Sequence, residues 1–402
     1  MKRAIFLLIF ISTHFLYSET SPFSIFGVGD IYPFGSIKNS IIEEDSISIS
    51  SDIFSNWSRL RNMTFSLSYS LVAHNTYGEL SEGSNYDEML ISGFNLALPF
   101  GERNIVGVSL YPLSSQDYTF FGDEIQTENS FGEILKKTNE RYVGGVDAFS
   151  LLYVKSYANH SFSLDFFSRF GNFRRKVETL FTSYDPGVTY SGTRSIKENF
   201  QKTFYHSGFG FSTTAYYGMF DISGMIRVPF YSWGKEYNRK FNGVKSDSII
   251  SVEWPLEFGA NISFKPNKNI SSNFKFSGIA FESKDLGVTF EKQKNFYEFS
   301  LGVSYTPSRR LYDSYYKRIS YGLYGAYTLT GIKAEENDIN RYRFAINLGF
   351  PYNEKRSKIE SQFFIENQGD KVKNGISDLK LGFSLTVTGS DNWWLKKKKY
   401  ND

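Results

Sequence analysis

The chain reads as all-β: a transmembrane antiparallel β-barrel of about 14 strands, with an N-terminal plug inside the lumen. Three observations predict this. Apolar and polar residues alternate strand after strand, the links between strands alternate short and long, and an export signal precedes them all.

The alternation is plain in Phe220-Asp221-Ile222-Ser223-Gly224-Met225-Ile226-Arg227-Val228-Pro229-Phe230. Phe220, Ile222, Ile226, Val228 and Phe230 share one face, while Asp221, Ser223 and Arg227 share the other. A period of two means a strand between two unlike surroundings. The pattern persists to Leu379-Lys380-Leu381-Gly382-Phe383-Ser384-Leu385-Thr386-Val387. It predicts strands at 63–77, 88–99, 104–115, 142–156, 160–170, 203–215, 219–230, 249–264, 271–282, 295–306, 318–330, 341–350, 357–367 and 377–388. Each is long enough for a tilted strand to cross a bilayer, which takes roughly 9 to 11 residues.

Short links are expected at 100–103, 157–159, 216–218, 265–270 and 351–356, and longer ones at 78–87, 116–141, 171–202, 231–248, 283–294, 331–340 and 368–376. The link at 307–317 belongs to the short series but is longer than its companions. Outer-membrane barrels sort their connections in this way, with short periplasmic turns and long outer loops. Both termini on the periplasmic side require an even strand number, and a soluble β-sandwich has no reason to sort its loops. Pro229, before Tyr231-Ser232-Trp233, reads as a strand terminator.

Met1-Lys2-Arg3 and the apolar run Ala4 to Leu16 form a secretory signal over residues 1–18; its loss would lower the net charge from +3 to +1. The 402 residues contain no cysteine, which excludes disulfides, thiolate metal sites and an N-terminal lipid-anchored Cys. Phe and Tyr number 40 and 28, a supply that suits strands and membrane-interface girdles. Charged residues are 22% of the chain and nearly balanced, which argues against nucleic acid as a partner.

Residues 19–61 lack the alternation and carry Phe23, Ile25, Phe26, Trp57 and Leu60. A disordered tail rarely holds so many apolar anchors. A 14-stranded lumen lies between the filled barrels of about eight strands and the open ones of 16 to 18, and would leak unless occupied. The segment is therefore expected to fold inside as a plug, with the barrel and a short basic tail over 62–402. The lipid face should include Phe94, Leu96 and Leu98; Phe162, Leu164 and Phe166; Trp254, Leu256, Phe258 and Ile262; Leu301 and Val303; Phe344 and Ile346; Phe363 and Ile365. Charges at mid-bilayer cannot point outward at a cost of about 2 to 4 kcal/mol. Asp165, Arg169, Asp221, Arg227, Glu253, Glu257, Arg341, Arg343, Glu360 and Glu366 should therefore face the lumen.

Trp57-Ser58-Arg59-Leu60 leading into Thr64-Phe65-Ser66-Leu67-Ser68-Tyr69 resembles the plug-to-barrel passage of the FadL-type hydrocarbon transporters of the Gram-negative outer membrane, a family whose relatives include PorV-like barrels serving protein secretion. Phe94-Asn95-Leu96-Ala97-Leu98-Pro99-Phe100-Gly101 and Gly107-Val108-Ser109-Leu110-Tyr111-Pro112 resemble its second and third strands, and Pro255 to Pro266 a later strand and turn. Two signatures depart: Ser55-Asn56-Trp57 stands where Asn-Pro-Ala is expected, and Ser36 to Ser40 replaces a Met-Gly-Gly run. The resemblance implies passive uptake of a fatty-acid or hydrocarbon ligand, captured among the outer loops, held above the plug and released sideways through a gap at a kinked third strand. Phe23, Phe26, Trp57 and Pro112 would line that path. Pro112 either breaks the third strand's ladder, since proline cannot donate, or simply ends its spanning part.

The resemblance further implies the outer membrane as location, its lipid and lipopolysaccharide as surroundings, a barrel-assembly machinery for insertion, and a monomer. Gly27-Val28-Gly29-Asp30 lacks a third glycine and a following helix, so it is a turn and not a nucleotide loop. His74, His160 and His206 lack metal-ligand spacing, and no cofactor is expected. Glu253 and Glu257 read as solvated lumen charges rather than an acid/base pair, so no enzyme is expected. Two other functions stay open. A docking barrel for secreted proteins would have a lumen packed shut and large ordered outer loops, and a general porin would have a clear pore.

Overall fold

The computed structural model describes residues 21–25, 30–31, 49, 51, 53–78, 84–101, 103–129, 132–184, 193–240, 243, 245–281, 294–334, 337–352 and 357–391. The signal expected at 1–18, Phe26, Trp393, Trp394 and Lys396 to Lys399 lie outside them. The strands are β1 (Asp30–Ile31), β2 (Met63–Gly78), β3 (Ser84–Phe100), β4 (Asn104–Asn129), β5 (Gly132–Ser156), β6 (His160–Tyr184), β7 (Thr193–Tyr217), β8 (Phe220–Arg239), β9 (Lys245–Ile250), β10 (Glu257–Phe264), β11 (Ile270–Ile279), β12 (Phe296–Tyr305), β13 (Ser320–Ala334), β14 (Asn337–Tyr352), β15 (Ser357–Asp370) and β16 (Ile376–Asp391). All pair antiparallel, and β16 closes on β2 from Met63↔Asp391 to Gly78↔Ile376. The sheet has 16 strands, of which β1 and β9 are accessory and the other fourteen make the barrel. The β16–β2 pairing joins the last barrel strand to the first, as a sheet that spans a membrane requires.

The two faces follow the period of two. On β2, Phe65, Leu67 and Leu71 are exposed on the outer wall, while Ser66, Ser68, Ser70 and His74 are buried inside. Phe162 and Leu164, Leu301 and Val303, Phe344 and Ile346, and Phe363 and Ile365 are likewise outside and exposed. Exposed aromatics ring both ends of this apolar band. Tyr153, Tyr217, Phe220, Tyr305 and Tyr321 sit near the rim that carries the tight turns, and Tyr77, Tyr231, Trp233 and Tyr342 near the other. Apolar wall, aromatic girdles and polar interior place the protein in a bacterial outer membrane.

Three expectations are corrected. The stretches 116–141, 171–202 and 231–248 are largely strand rather than long loops: β4 runs 26 residues and β5, β6 and β7 run 25 each. At about 3.3 Å per residue such strands are roughly 80 Å long, far more than a bilayer crossing needs. Pro229 does not end β8. It pairs with Gly208 inside the strand, beside a bulge at Phe230 that lets the ladder resume at Ser207↔Tyr231. The single strand expected over 249–264 is broken: β9 pairs with upper β8, β10 pairs with lower β8, and 251–256 leaves the ladder. Pro255 cannot donate to a ladder, and the phase changes across it. Trp254, expected on the lipid face, is buried inside; Glu253, expected in the lumen, is exposed.

Candidate functional site

The N-terminal segment enters at the rim of tight turns. Phe54–Arg59 form a 3-10 turn closed by Leu60 N–H to the Trp57 carbonyl at 2.9 Å. Phe54 and Trp57 meet edge to face at 5.4 Å and pack on the inward residues Ala97, Ile105, Leu152 and Val154. The turn's polar groups find partners on the inner wall. Ser55 N–H donates to Ser212 Oγ at 2.9 Å, and Ser161 Oγ donates to the Ser55 carbonyl at 2.9 Å. Arg59 Nη2 and Lys265 Nζ both reach Asp221 Oδ2, at 2.7 and 2.6 Å. An open cleft of about 900 Å³, lined in part by Arg59, Arg61, Arg103 and Tyr216, lies at this mouth.

Above Phe54 the interior is floored by ions. Arg169 clasps Glu257 with two bonds, Nε to Oε1 at 3.0 Å and Nη2 to Oε2 at 2.7 Å. Arg227 donates through Nε to Asp165 Oδ2 at 3.1 Å, and its Nη1 lies 3.5 Å from Glu257 Oε2. Both guanidiniums reach the Tyr111 hydroxyl at 3.4 Å, and Trp254 Nε1 donates to Glu257 at 3.2 Å. Arg227 lies over the Phe54 ring at 4.9 Å, and Arg169 over Phe167 at 4.9 Å. Two cations and two anions balance, and all four are buried. Pairing of this kind is what makes buried charge tolerable.

A second ionic group stands on β14–β16. Glu366 receives Arg343 Nη2 at 2.5 Å and Lys380 Nζ at 3.1 Å; Arg341 Nη1 stands 3.8 Å away, and its Nη2 donates to the Ile31 carbonyl at 2.9 Å. Glu360 is half-buried beside Lys358. Above the first floor lies an apolar cluster that joins Ile31 to Tyr111, Leu113, Phe173, Phe204, Trp254, Phe281 and Phe296.

The wall has a seam at the same height. β3 and β4 pair only from Phe100↔Asn104 up to Phe94↔Leu110, although β3 continues on β2 as far as Ser84 and β4 continues on β5 as far as Asn129. At Pro112–Ser114 the β4–β5 register slips, and β1 takes the vacated edge with Ile31↔Ser114 and Asp30↔Ser115. Opposite the slip, Gly144 and Gly145 hold φ of 148° and 151°; a Cβ on Gly145 would lie 2.3 Å from the Ser114 carbonyl. Only glycine accepts that backbone without strain. Ser115 Oγ donates to Glu88 Oε1 across the seam at 3.1 Å. Glu88 meets His74 at 3.3 Å, and His74 meets Asp378 at 3.1 Å.

The residues expected on the ligand path are therefore divided. Trp57 is buried under the floor, Pro112 is buried at the seam, Phe23 falls in a 3-10 turn, Pro22–Ile25, and Phe26 lies outside the described residues. The polar face expected for Asp165, Arg169, Asp221, Arg227, Glu257, Arg341 and Glu366 holds buried residues, and Arg343 is half-buried. Sequence reading passed over Glu88, Asp378 and Lys380, and the Gly144-Gly145 pair. The alternation in Leu379-Lys380-Leu381 already set Lys380 on the polar face.

Fold, girdles and interior define an outer-membrane β-barrel of fourteen strands. The chain resembles the structure of the CymD monoaromatic hydrocarbon channel, at 10% identity over 94% of this chain and 99% of that one, with a TM-score of 0.52. It also resembles the toluene transporter TodX of P. putida, at 9% identity over 85% and 93%, with a TM-score of 0.50. At such identities the likeness speaks for the fold. No curated protein sequence matches the chain. The BamG family model matches residues 1–221 and 234–401, so the chain belongs to the BamG family.

Proposed function

We propose that this barrel takes up small hydrophobic molecules, of fatty-acid or hydrocarbon type, and releases them sideways through its wall. One observation carries the reading: the ionic floor of Arg169, Arg227, Asp165 and Glu257 lies at the height where the β3–β4 ladder stops. An apolar molecule collected among Phe173, Phe204, Trp254 and Phe281 meets four buried charges below it, and a break in the hydrogen-bonded wall beside it. Desolvated charge repels such a molecule, so the lower-energy route runs through the seam. The N-terminal segment acts as the plug beneath the floor. The channel named for CymD and the transporter named for TodX handle ligands of this class.

The test uses the absence of native cysteine. Glu88→Cys and Ser115→Cys, joined by a short bifunctional thiol reagent, tie the seam shut. Uptake of a fluorescent fatty acid and of toluene into proteoliposomes is measured before linking, after linking and after release of a cleavable linker. Uptake that stops on linking and returns on release supports lateral passage. Unchanged uptake in the linked protein rules it out.

A second reading, a docking barrel for secreted or surface proteins, is favoured by the tall ordered strands β4–β8, which rise on one side of the barrel. Removing 118–141 and joining the ends by a short turn would leave the barrel intact. Loss of surface protein with normal fatty-acid uptake would support docking over transport.

A further inference from the structure

The outward face of the strand extensions carries an ordered set of cations above the outer aromatic girdle. Antiparallel partners share a face, so the register fixes which residues form each row. Phe170, Tyr205 and Trp233 are successive partners on β6, β7 and β8, and they form the aromatic row. Two residues further out the row is Asn172, Thr203, Lys235 and Ile249. The next is Arg174, Gln201, Tyr237 and Asp247. The one after is Lys176, Asn199, Arg239 and Lys245. The opposite parity turns inward: Phe173 and Phe204 are buried in the interior cluster, and Arg175 pairs with Glu140 beside Tyr142.

The outward rows are therefore a continuation of the lipid-facing wall. The row of Lys176, Asn199, Arg239 and Lys245 is the last that all four strands share; it stands six residues past the aromatics, about 15 Å higher for a tilted strand. That is the depth of a lipid's charged headgroup and its first sugars. Lys176, Arg239 and Lys245 are exposed and have no ion pair among the described residues. Lys235 is tied to Asp247 at 2.6 Å, and beyond this row Lys197 is tied to Glu178 at 2.9 Å, which leaves the row between them as the cationic one. Nε of Arg174, one row lower, is buried without a hydrogen-bond partner, and its Nη2 reaches Gln201 at 3.5 Å. A guanidinium edge held against the wall and a row of ammonium and guanidinium groups above it suit phosphate oxygens, which accept from both.

We propose that Arg174, Lys176, Arg239 and Lys245 form a binding site for the phosphate-bearing headgroup of glycolipid in the surrounding outer leaflet. The occupant is a lipid rather than a soluble anion because the basic rows share their strand face with the aromatic girdle. A molecule with acyl chains on that wall presents its phosphates at this height. The site rests on the membrane location alone and is independent of what passes through the barrel.

The test compares the wild-type chain with Lys176→Gln/Arg239→Gln/Lys245→Gln, both shown to be folded by heat-modifiable mobility on gels. Detergent-solubilised protein is titrated with diphosphoryl lipid A and with the same lipid stripped of phosphate, and bound lipid is counted by native mass spectrometry. The expected result is binding of the diphosphoryl form that weakens roughly 100-fold in the triple variant, from three charges at the strength typical of anionic membrane surfaces. The stripped lipid should bind both proteins equally and weakly. Should the variant fail to fold, a salt titration of the wild type decides: binding must fall as salt rises. Equal retention by the variant, equal binding of the stripped lipid, or binding insensitive to salt overturns the site. A soluble acidic polysaccharide that competes as well as the lipid, or a wild-type dimer that the variant dissolves, overturns the lipid as its occupant.

Discussion

Arg169 and Glu257 lie 88 residues apart and meet side by side across the barrel interior, Nη2 to Oε2 at 2.7 Å, with neither side chain exposed. Glu257 also holds Arg227 and Trp254, so it is the hub of the floor. Removing one member of a buried pair leaves an uncompensated charge, at a cost of about 3–5 kcal/mol, whereas replacing both is often neutral. Glu257→Gln should therefore lower the unfolding free energy by about 3 kcal/mol in urea titrations from liposomes. Arg169→Met combined with Glu257→Leu should recover at least half of that loss. A Glu257→Gln variant as stable as the wild type would mean that the floor carries no such strain.

These partners show what could be read and what could not. A period of two put Asp165, Arg169, Asp221, Arg227 and Glu257 on the inner face, because parity is local. Which of them meet depends on strands β6, β8 and β10 coming round the cylinder, and no spacing in the chain records that. The outer extensions were hidden for another reason. Above the hydrocarbon both faces meet polar surroundings, so the alternation fades, and Arg174-Arg175-Lys176 reads as loop although all three lie in β6. The change of phase at Pro255 is local too, but it needed the proline to be weighed against an otherwise regular pattern.

The register slip of β4 at Pro112–Ser114 stands opposite Gly145, and a bulge of this kind bends its strand. A side chain at 145 would meet the Ser114 carbonyl and would have to adopt a φ near 151°. Such backbone costs about 1–3 kcal/mol for a residue with a Cβ. Gly145→Val should destabilise the barrel by about that amount. If the bend sets the seam, it should also slow fatty-acid uptake in proteoliposomes more than a Val substitution at Gly224 does, where the nearest atom to a Cβ is 3.8 Å away. Equal effects on uptake would remove the bend from the mechanism.

Above the girdle, Glu140 takes Arg175 Nη2 at 2.8 Å and the Tyr142 hydroxyl at 2.8 Å. Burial pushes its carboxyl up, but the hydrogen bonds from Arg175 and Tyr142 outweigh this and hold it below its ordinary 4.5. A carboxyl lowered in the folded state lends stability that is present above 4.5 and is lost as pH falls through the lowered value. The β5–β6 extension should therefore keep its amide protection from neutral pH to about pH 5 and lose it as acid is added below that. Hydrogen exchange of residues 136–143 at a series of pH values measures this, and Glu140→Gln should make the profile flat.

Asp221 is the one carboxylate bonded to both Arg59 of the N-terminal segment and Lys265 of the β10–β11 turn among the described residues. Arg59 also lies over the Tyr216 ring at 4.7 Å. Arg59 and Lys265 are partly solvated, and pairs of that kind contribute about 1 kcal/mol or less to stability. Asp221→Asn should then leave barrel stability nearly unchanged while loosening the segment, which keeps the packing of Phe54 and Trp57 and the hydrogen bonds of Ser55, Asn56 and Ser58 with the wall. In planar bilayers the wild type should show rare openings, and Asp221→Asn frequent ones. Ser212→Ala with Thr214→Val should add to the effect by removing the bond from Ser55 N–H to Ser212 Oγ and the contact of Ser55 Oγ with Thr214 Oγ1 at 2.7 Å. If the Asn variant is as quiet as the wild type and the hydroxyl variant alone opens the lumen, then the serine network rather than the ion pair keeps the segment seated.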